Sequence, residues 1–332
     1  MVNTQDAIVI QGLTKKYGDK VALDSLDLTI PTGQILGLIG PNGAGKTTTI
    51  KILVGLARPT AGTAHIGGID CVRESKKVKS ILGYMPDKFG SYENMRVLEY
   101  LDFFGAAFGL KRRDRLRRIE EVMEMTQSTY MRDLYVESLS HGMCQRLGIA
   151  RTLLHDPQVL ILDEPANGLD PQARVDMRDL LINLAAAGKT LLVTSHILPE
   201  LSRICHRIAI LTNGKLRACG TVAEISRQVS QRRTIEVQLV SEQEVSRASD
   251  IIKQHAEEGA DVVAATSEMT VRCRTSKTES ELAVLLAALV SAGVQVTQFR
   301  ELQSDLEEAF ISFANESNES LEQIPFTKEK GA

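Results

Sequence analysis

The sequence has no long apolar run, no leader-like start, no dense cysteine pattern and no strong excess of charge of either sign, and each absence removes a class of protein. Its longest uncharged stretch, Leu282 to Phe299, is about a bilayer's width as a helix, but Ser291, Gly293, Gln295, Thr297 and Gln298 break its second half. It is not read as a membrane span. The opening residues, MVNTQDAIVI, lack a basic segment followed by an apolar core and a small-residue cleavage site, so no secretory signal is read and a cytosolic chain is expected. Five cysteines, at positions 71, 144, 205, 219 and 273, are odd in number and too scattered for a metal-ligand set or a disulfide framework. A net charge of −3 leaves no global basic surface, so nucleic acid is not expected as the main partner.

What is present suits a globular chain: 332 residues, 43% hydrophobic and 24% charged, are enough for one large domain and a smaller one. Ile8 to Gln11, Val21 to Ile30 and Gln34 to Ile39 are β-rich runs separated by Gly and Pro turns. They predict an antiparallel layer leading into a core strand. Val97 to Arg132 has helical spacing and a basic cluster from Lys111 to Arg118, as a helical insertion would. Val159 to Leu162 is continuously apolar, the mark of a strand buried on both faces in a parallel sheet, and is expected at the core's centre. Asp170-Pro171 then reads as an N-cap with proline at the first helical position, followed by a helix to Gly188 and a strand from Thr190 to Ser195. Alternating strand and helix give an α/β fold. After about Gly220 the order becomes βαββαβ, a separate small α+β domain of ferredoxin-like order over residues 230–314. Leu302, Leu306, Phe310 and Phe313 make an apolar stripe near its end, and residues 315–332 read as a disordered polar tail.

Gly40-Pro41-Asn42-Gly43-Ala44-Gly45-Lys46-Thr47 fits G-x-x-x-x-G-K-[ST], set between an apolar strand and a predicted helix. Glycines let backbone amides turn onto phosphate oxygens, and the helix N-terminus adds positive potential. Lys46 would reach the β- and γ-phosphates and the Thr47 hydroxyl would ligate Mg²⁺. Such a match arises by chance in on the order of one per cent of chains this long, which disfavours an ordinary glycine-rich turn. Asp163 and Glu164 end the buried strand, where parallel sheets place their ligands. Asp163 is the candidate to hold Mg²⁺, and Glu164 the candidate general base for the attacking water. His196, after the strand ending at Ser195, is a candidate partner for the γ-phosphate or that water, although a histidine there on its own is more often core.

Between these two sites lies Leu139-Ser140-His141-Gly142-Met143-Cys144-Gln145-Arg146. Together with the glycine loop, LILDEP, the NGLD segment ending at Asp170, and His196, in this order and spacing, it makes residues 5–220 resemble the ATP-binding cassette (ABC) family. That family's signature ordinarily reads LSGGQxQR. The resemblance implies a P-loop NTPase cassette with a parallel core sheet, an N-terminal antiparallel β layer and a helical insertion over about 90–155. It implies a Mg-dependent ATPase whose nucleotide contacts run from Gly40 to Thr48, with Lys46, Glu164 and His196 catalytic and Tyr17 stacked on adenine. It also implies head-to-tail pairing of two copies, each ATP lying between one copy's phosphate loop and the other's Ser140, His141, Gly142 and Met143. Asp170 would belong to the loop that communicates across the pair.

Asp87 stands where the family usually has a Gln that reaches Mg²⁺ and the membrane partner; a carboxylate there can still ligate the metal but alters the charge. His141 and Met143 depart from the usual Gly and Gln. Ser-x-Gly-Met variants are similar to those of bacterial exporter ATPases made as separate subunits, and Leu306-Glu-Glu-Ala-Phe310 resembles their closing motif. The expected function is to power export of an unknown substrate through separate transmembrane permease subunits, with the chain peripheral on the inner face of the membrane. The alternative is a mechanical ABC ATPase acting on ribosomes or DNA, but such relatives usually carry two cassettes, long coiled coils or zinc insertions. A cassette that has lost catalysis is disfavoured by the intact Lys46, Asp163, Glu164 and His196.

Overall fold

The computed structural model describes residues 6–88, 90, 94–195, 201–229, 233–257 and 260–302. His196, Leu306 to Phe313 and the polar tail lie outside them. The described residues fall into two compact units, divided after Val222.

The first unit is built on two sheets. β1 (Asp6–Tyr17), β2 (Lys20–Pro31), β4 (Ala61–Ile66) and β5 (Ile69–Asp70) form an antiparallel sheet in the order β2-β1-β4-β5. The second sheet runs β10-β9-β3-β8-β7-β6, from β3 (Ile35–Ile39), β6 (Leu82–Met85), β7 (Val159–Asp163), β8 (Thr190–Ser195), β9 (Arg207–Thr212) and β10 (Lys215–Gly220). All its neighbours pair in parallel except β9 with β10. Every residue of β3, β7 and β8 is buried, which is why these strands carry continuous apolar runs instead of alternating, with polar residues at the ends of β7 and β8. At about 1.5–3 kcal/mol for each large aliphatic side chain, that burial fixes the centre of the unit. β3 and β8 occupy the middle of the strand order and β7 lies one strand further out, flanked by the edge strand β6; all five residues of β7 are buried in the core, as its apolar run suggested. Ile8, Ile10, Leu26 and Leu28 of the first sheet pack in one core with Leu36, Leu38, Ile161 and Leu192 of the second and with Ile50, Ile52 and Leu53 of α1 (Lys46–Leu53).

After α2 (Ser75–Ile81) and β6 come three helices, α3 (Val97–Ala107), α4 (Arg112–Met125) and α5 (His141–Leu153). The helical segment expected over 97–132 is present as two helices, separated at Gly109, whose φ of 81° ends α3. The basic run is partly spent on holding these helices together. Arg115 grips Asp102 with two hydrogen bonds of 2.6 and 3.1 Å, and Arg118 donates to Asp156 and to the Leu153 carbonyl, both at 2.9 Å. Arg146 of α5 reaches Asp176 at 2.7 Å, tying it to α6 (Pro171–Ala186).

In the second unit, α7 (Val222–Val229) is followed by β11 (Arg233–Leu239), α8 (Gln243–His255), β12 (Asp261–Ala265), β13 (Thr270–Thr275), α9 (Glu279–Ser291) and β14 (Val296–Leu302). The antiparallel sheet has the order β12-β13-β11-β14. Ile235, Val237, Val271 and Cys273 face Val245, Ile252, Leu282 and Leu289 of α8 and α9, forming the core of this unit. On the other face Glu236, 4% exposed, accepts from Arg300 at 2.7 Å and Arg272 at 2.9 Å, its partners in register on β14 and β13. Arg300 and then Arg272 hold its carboxyl below the ordinary value of 4.5. A depressed carboxylate stabilises the fold above its unfolded pKa and loses that contribution as pH falls through the folded one. Amide exchange in β11 and β13, taken relative to the intrinsic rate at each pH, is therefore expected to accelerate below about pH 4.5. Glu236→Gln should raise it at neutral pH and flatten the acid dependence; an unchanged profile would mean the cluster contributes nothing.

Candidate functional site

The phosphate loop leaves β3 one residue after Ile39 and enters α1 through Gly45, whose φ is 112°. Gly40 has no room for a side chain, because a Cβ there would sit 2.3 Å from the Leu211 carbonyl oxygen. Lys46 is 6% exposed, and its Nζ donates to the carbonyls of Gly40 at 2.6 Å and Pro41 at 3.3 Å. Burial lowers its pKa, while the charges of Glu164 and Asp163 oppose that shift. An ammonium group so desolvated, with two acids in range, is suited to an anionic ligand. Tyr17 and residues 41–48 line one cavity of about 300 Å³ together with Lys20, Ala22 and Glu164. Tyr17 is 49% exposed, and Lys15 Nζ lies 4.8 Å from its ring centroid, covering part of the ring by a cation–π contact.

Sheet register brings the acids to this loop. Thr194 of β8 pairs with Leu38 of β3 on one side and Asp163 of β7 on the other. Its hydroxyl donates to Asp163 Oδ1 at 2.6 Å and accepts the Glu164 amide at 3.0 Å, so one buried side chain fixes both acids. Glu164 has a φ of 51°, the left-handed region that costs a non-glycine residue about 1 kcal/mol, and this turns it off the strand towards the loop. Asp163, 8% exposed, has its pKa raised by burial and by the charges of Glu164 and Asp87, against the Thr194 hydrogen bond and Lys46, which lower it. Burial, and then Asp163 and Asp87, likewise raise the Tyr84 phenol. Three carboxylates thus lie within electrostatic reach of one another. That donor chemistry, with the Thr47 hydroxyl at the loop, fits a hard divalent cation.

The signature residues stand apart. Ser140 caps α5, its hydroxyl accepting the Met143 amide at 3.4 Å, and Asp170 caps α6 by accepting the Ala173 amide at 2.8 Å. Ser140, His141, Gly142, Met143 and Asp170 line a second cavity of about 210 Å³, shared with Gly168 and Ala173, and no phosphate-loop residue lines it. Within one chain, then, Tyr17, the phosphate loop and Glu164 meet at one place and the signature at another. Thr194, which matters to this geometry, escaped the sequence reading, and Asn167 entered it only as part of the NGLD segment. The signal for Thr194 is a polar residue directly after the apolar Leu191-Leu192-Val193 run of its strand, and that for Asn167 is its place at the head of the NGLD segment.

A family profile described as ABC transporter matches residues 23–167. A Nod factor export ATP-binding protein of Ralstonia nicotianae is 37% identical over 224 residues, covering 68% of this chain and 70% of its own length. A probable multidrug ABC transporter ATP-binding protein of Escherichia coli is 38% identical over 224 residues, 68% of this chain and 39% of its own length. The solved structure of an ATP-binding subunit of an ABC transporter, 30% identical, superposes with a TM-score of 0.61 over 67% of this chain and 92% of that one. The chain belongs to the ABC transporter ATP-binding family, and its cassette is a nucleotide-binding ATPase. Among the described residues no helix is long and apolar enough to cross a membrane.

Proposed function

We propose that this ATPase powers export through separate permease subunits, working as a head-to-tail pair of copies at the inner face of the membrane. The observation that carries the pairing is the separation of the two cavities: the phosphate loop and Glu164 line one, and the signature lines the other. Each is half of a site, and the N-terminus of α5 is suited to meet the γ-phosphate held by a second copy. Closure around two ATPs would push on the permeases and hydrolysis would reopen the pair. The relatives named for Nod factor export and multidrug transport support the export reading over action on ribosomes or DNA.

In this reading Tyr17 stacks on adenine, Gly40 to Thr48 cradle the phosphates, and Lys46 neutralises the β- and γ-oxygens. Thr47, Asp163 and Asp87 would hold Mg²⁺, whose chemistry there is to offset charge on the phosphates. Glu164 takes the proton of the attacking water, and Thr194 keeps Asp163 and Glu164 aimed. His196 keeps its proposed place beside the γ-phosphate on sequence grounds alone. Hydrolysis by the purified chain is expected to fall at least about a hundredfold in EDTA and to recover with Mg²⁺. Thr47→Ala should raise the Mg²⁺ concentration required. Turnover indifferent to chelation would refute the metal assignment, and failure to co-purify with a co-expressed six-span membrane protein encoded beside it would count against the transport reading.

A further inference from the structure

The imidazole of His141, the first residue of α5, does something that the glycine usual at this place in the signature could not do. Its Nε2 lies 2.8 Å from the backbone carbonyl oxygen of Asn167, in the loop that follows β7. A carbonyl only accepts, so Nε2 carries the proton. One turn along α5, the amide nitrogen of Gln145 sits 3.5 Å from the same Nε2, while Gln145 Oε1, on a side chain buried to 2% exposure, has no hydrogen-bond partner. Two donors cannot share that contact. Exchanging the ends of the Gln145 amide places Oε1 at the imidazole N–H, which is then shared between Asn167 and Gln145.

The loop is shaped to the ring. Gly168 has a φ of 71°, and a Cβ there would lie 3.3 Å from His141 Nε2. Asn167 also reaches further: its amide N–H donates to the Glu164 carbonyl at 3.1 Å, and its side-chain Nδ2 lies 3.5 Å from Asp87 Oδ1. A single loop residue therefore joins the start of the signature helix, the backbone of Glu164 and the carboxylate at position 87.

We propose that His141 is a positioning residue that locks the first turn of α5 to the loop carrying Glu164. The face offered to a second copy's nucleotide and the chain's own hydrolytic carboxylate then move as one body. This rests on the paired-site reading above. Losing the tie leaves nucleotide binding to the phosphate loop of a single chain intact and loosens the geometry in which pairing and hydrolysis occur, so it acts on turnover and pairing more than on the single chain's affinity for ATP.

The test uses the full chain with ATP and Mg²⁺. His141→Ala is expected to lower kcat about tenfold with the affinity of the single chain for ATP, read by equilibrium titration at concentrations below pairing, changed less than about twofold, and His141→Gln, whose amide nitrogen can reach the same carbonyl, should restore most of the rate. The ATP-driven dimer of Glu164→Gln, followed by size-exclusion chromatography, should need about tenfold more ATP when His141→Ala is added, and no more when His141→Gln is added. A Gln variant as slow as the Ala variant, or an Ala variant as fast as the parent, overturns the assignment. If Glu164→Gln alone forms no dimer, the paired site fails and the inference with it. If it dimerises equally with and without His141→Ala, only the inference fails.

Discussion

Replacing Glu164 by Gln is expected to lower steady-state ATP turnover about a thousandfold while leaving ATP binding intact, and to trap an ATP-bound dimer. A positioned general base contributes about 10²–10⁴ in rate, and this carboxylate is the acid lining the phosphate-loop cavity. The substitution is a clean one because the backbone has little reason to change. Gln bears the same left-handed φ as Glu, and the amide that Thr194 accepts at 3.0 Å remains. What disappears is one negative charge, and that charge is one of the causes that raise the pKa of Asp163. Removing it eases the crowding of carboxylates, so nucleotide and metal should be held at least as well as before. Undiminished hydrolysis would sink the assignment of the base, and a monomer at saturating ATP would sink the paired site.

Lys46→Ala should act at the other end of the same cavity, with a loss of ATP affinity or turnover of at least about a hundredfold. Its effect on stability should have the opposite character. The ammonium is buried with the carbonyls of Gly40 and Pro41 as acceptors, and desolvation is the leading cause of its lowered pKa. Removing such a group relieves that penalty, so the protein without nucleotide should melt no earlier than the parent. The parent should gain stability with rising ATP as binding is linked to folding, and the variant should gain none. Thermal melts with and without nucleotide would separate these outcomes. An unchanged ATP-induced shift would remove Lys46 from the site.

Much of this was legible in the residues because the chemistry is concentrated in short motifs. Gly40 to Thr47, Asp163-Glu164 and the N-cap at Asp170 are local, and each is dictated by a backbone requirement that only a few residue types meet. No strand is read from the sequence over Arg207–Thr212 or Lys215–Gly220, the first despite its apolar run; other missed strands take their character from their neighbours. Ala61–Ile66 is half exposed and weakly patterned, and it is a strand because β1 supplies an edge for it. Leu82–Met85 is a short apolar run that periodicity alone cannot distinguish from a piece of helix, and pairing with β7 decides it. Likewise, no spacing rule connects His141 with Asn167, because their bond exists only once α5 has been set against the loop after β7.

The row formed by Leu38, Thr194 and Asp163 also bears on how the chain acquires its function during folding. The phosphate loop is complete in sequence by Thr47, yet the strands that aim the acids at it are separated from it by the whole helical segment. Closing a loop of that length is a late, non-local event. A nascent chain ending before β8 would carry every residue of the glycine loop and still lack the Thr194 hydroxyl that fixes both acids. Nucleotide affinity should therefore appear abruptly, when β8 inserts between β3 and β7, and tight ATP binding would report that the central sheet is closed.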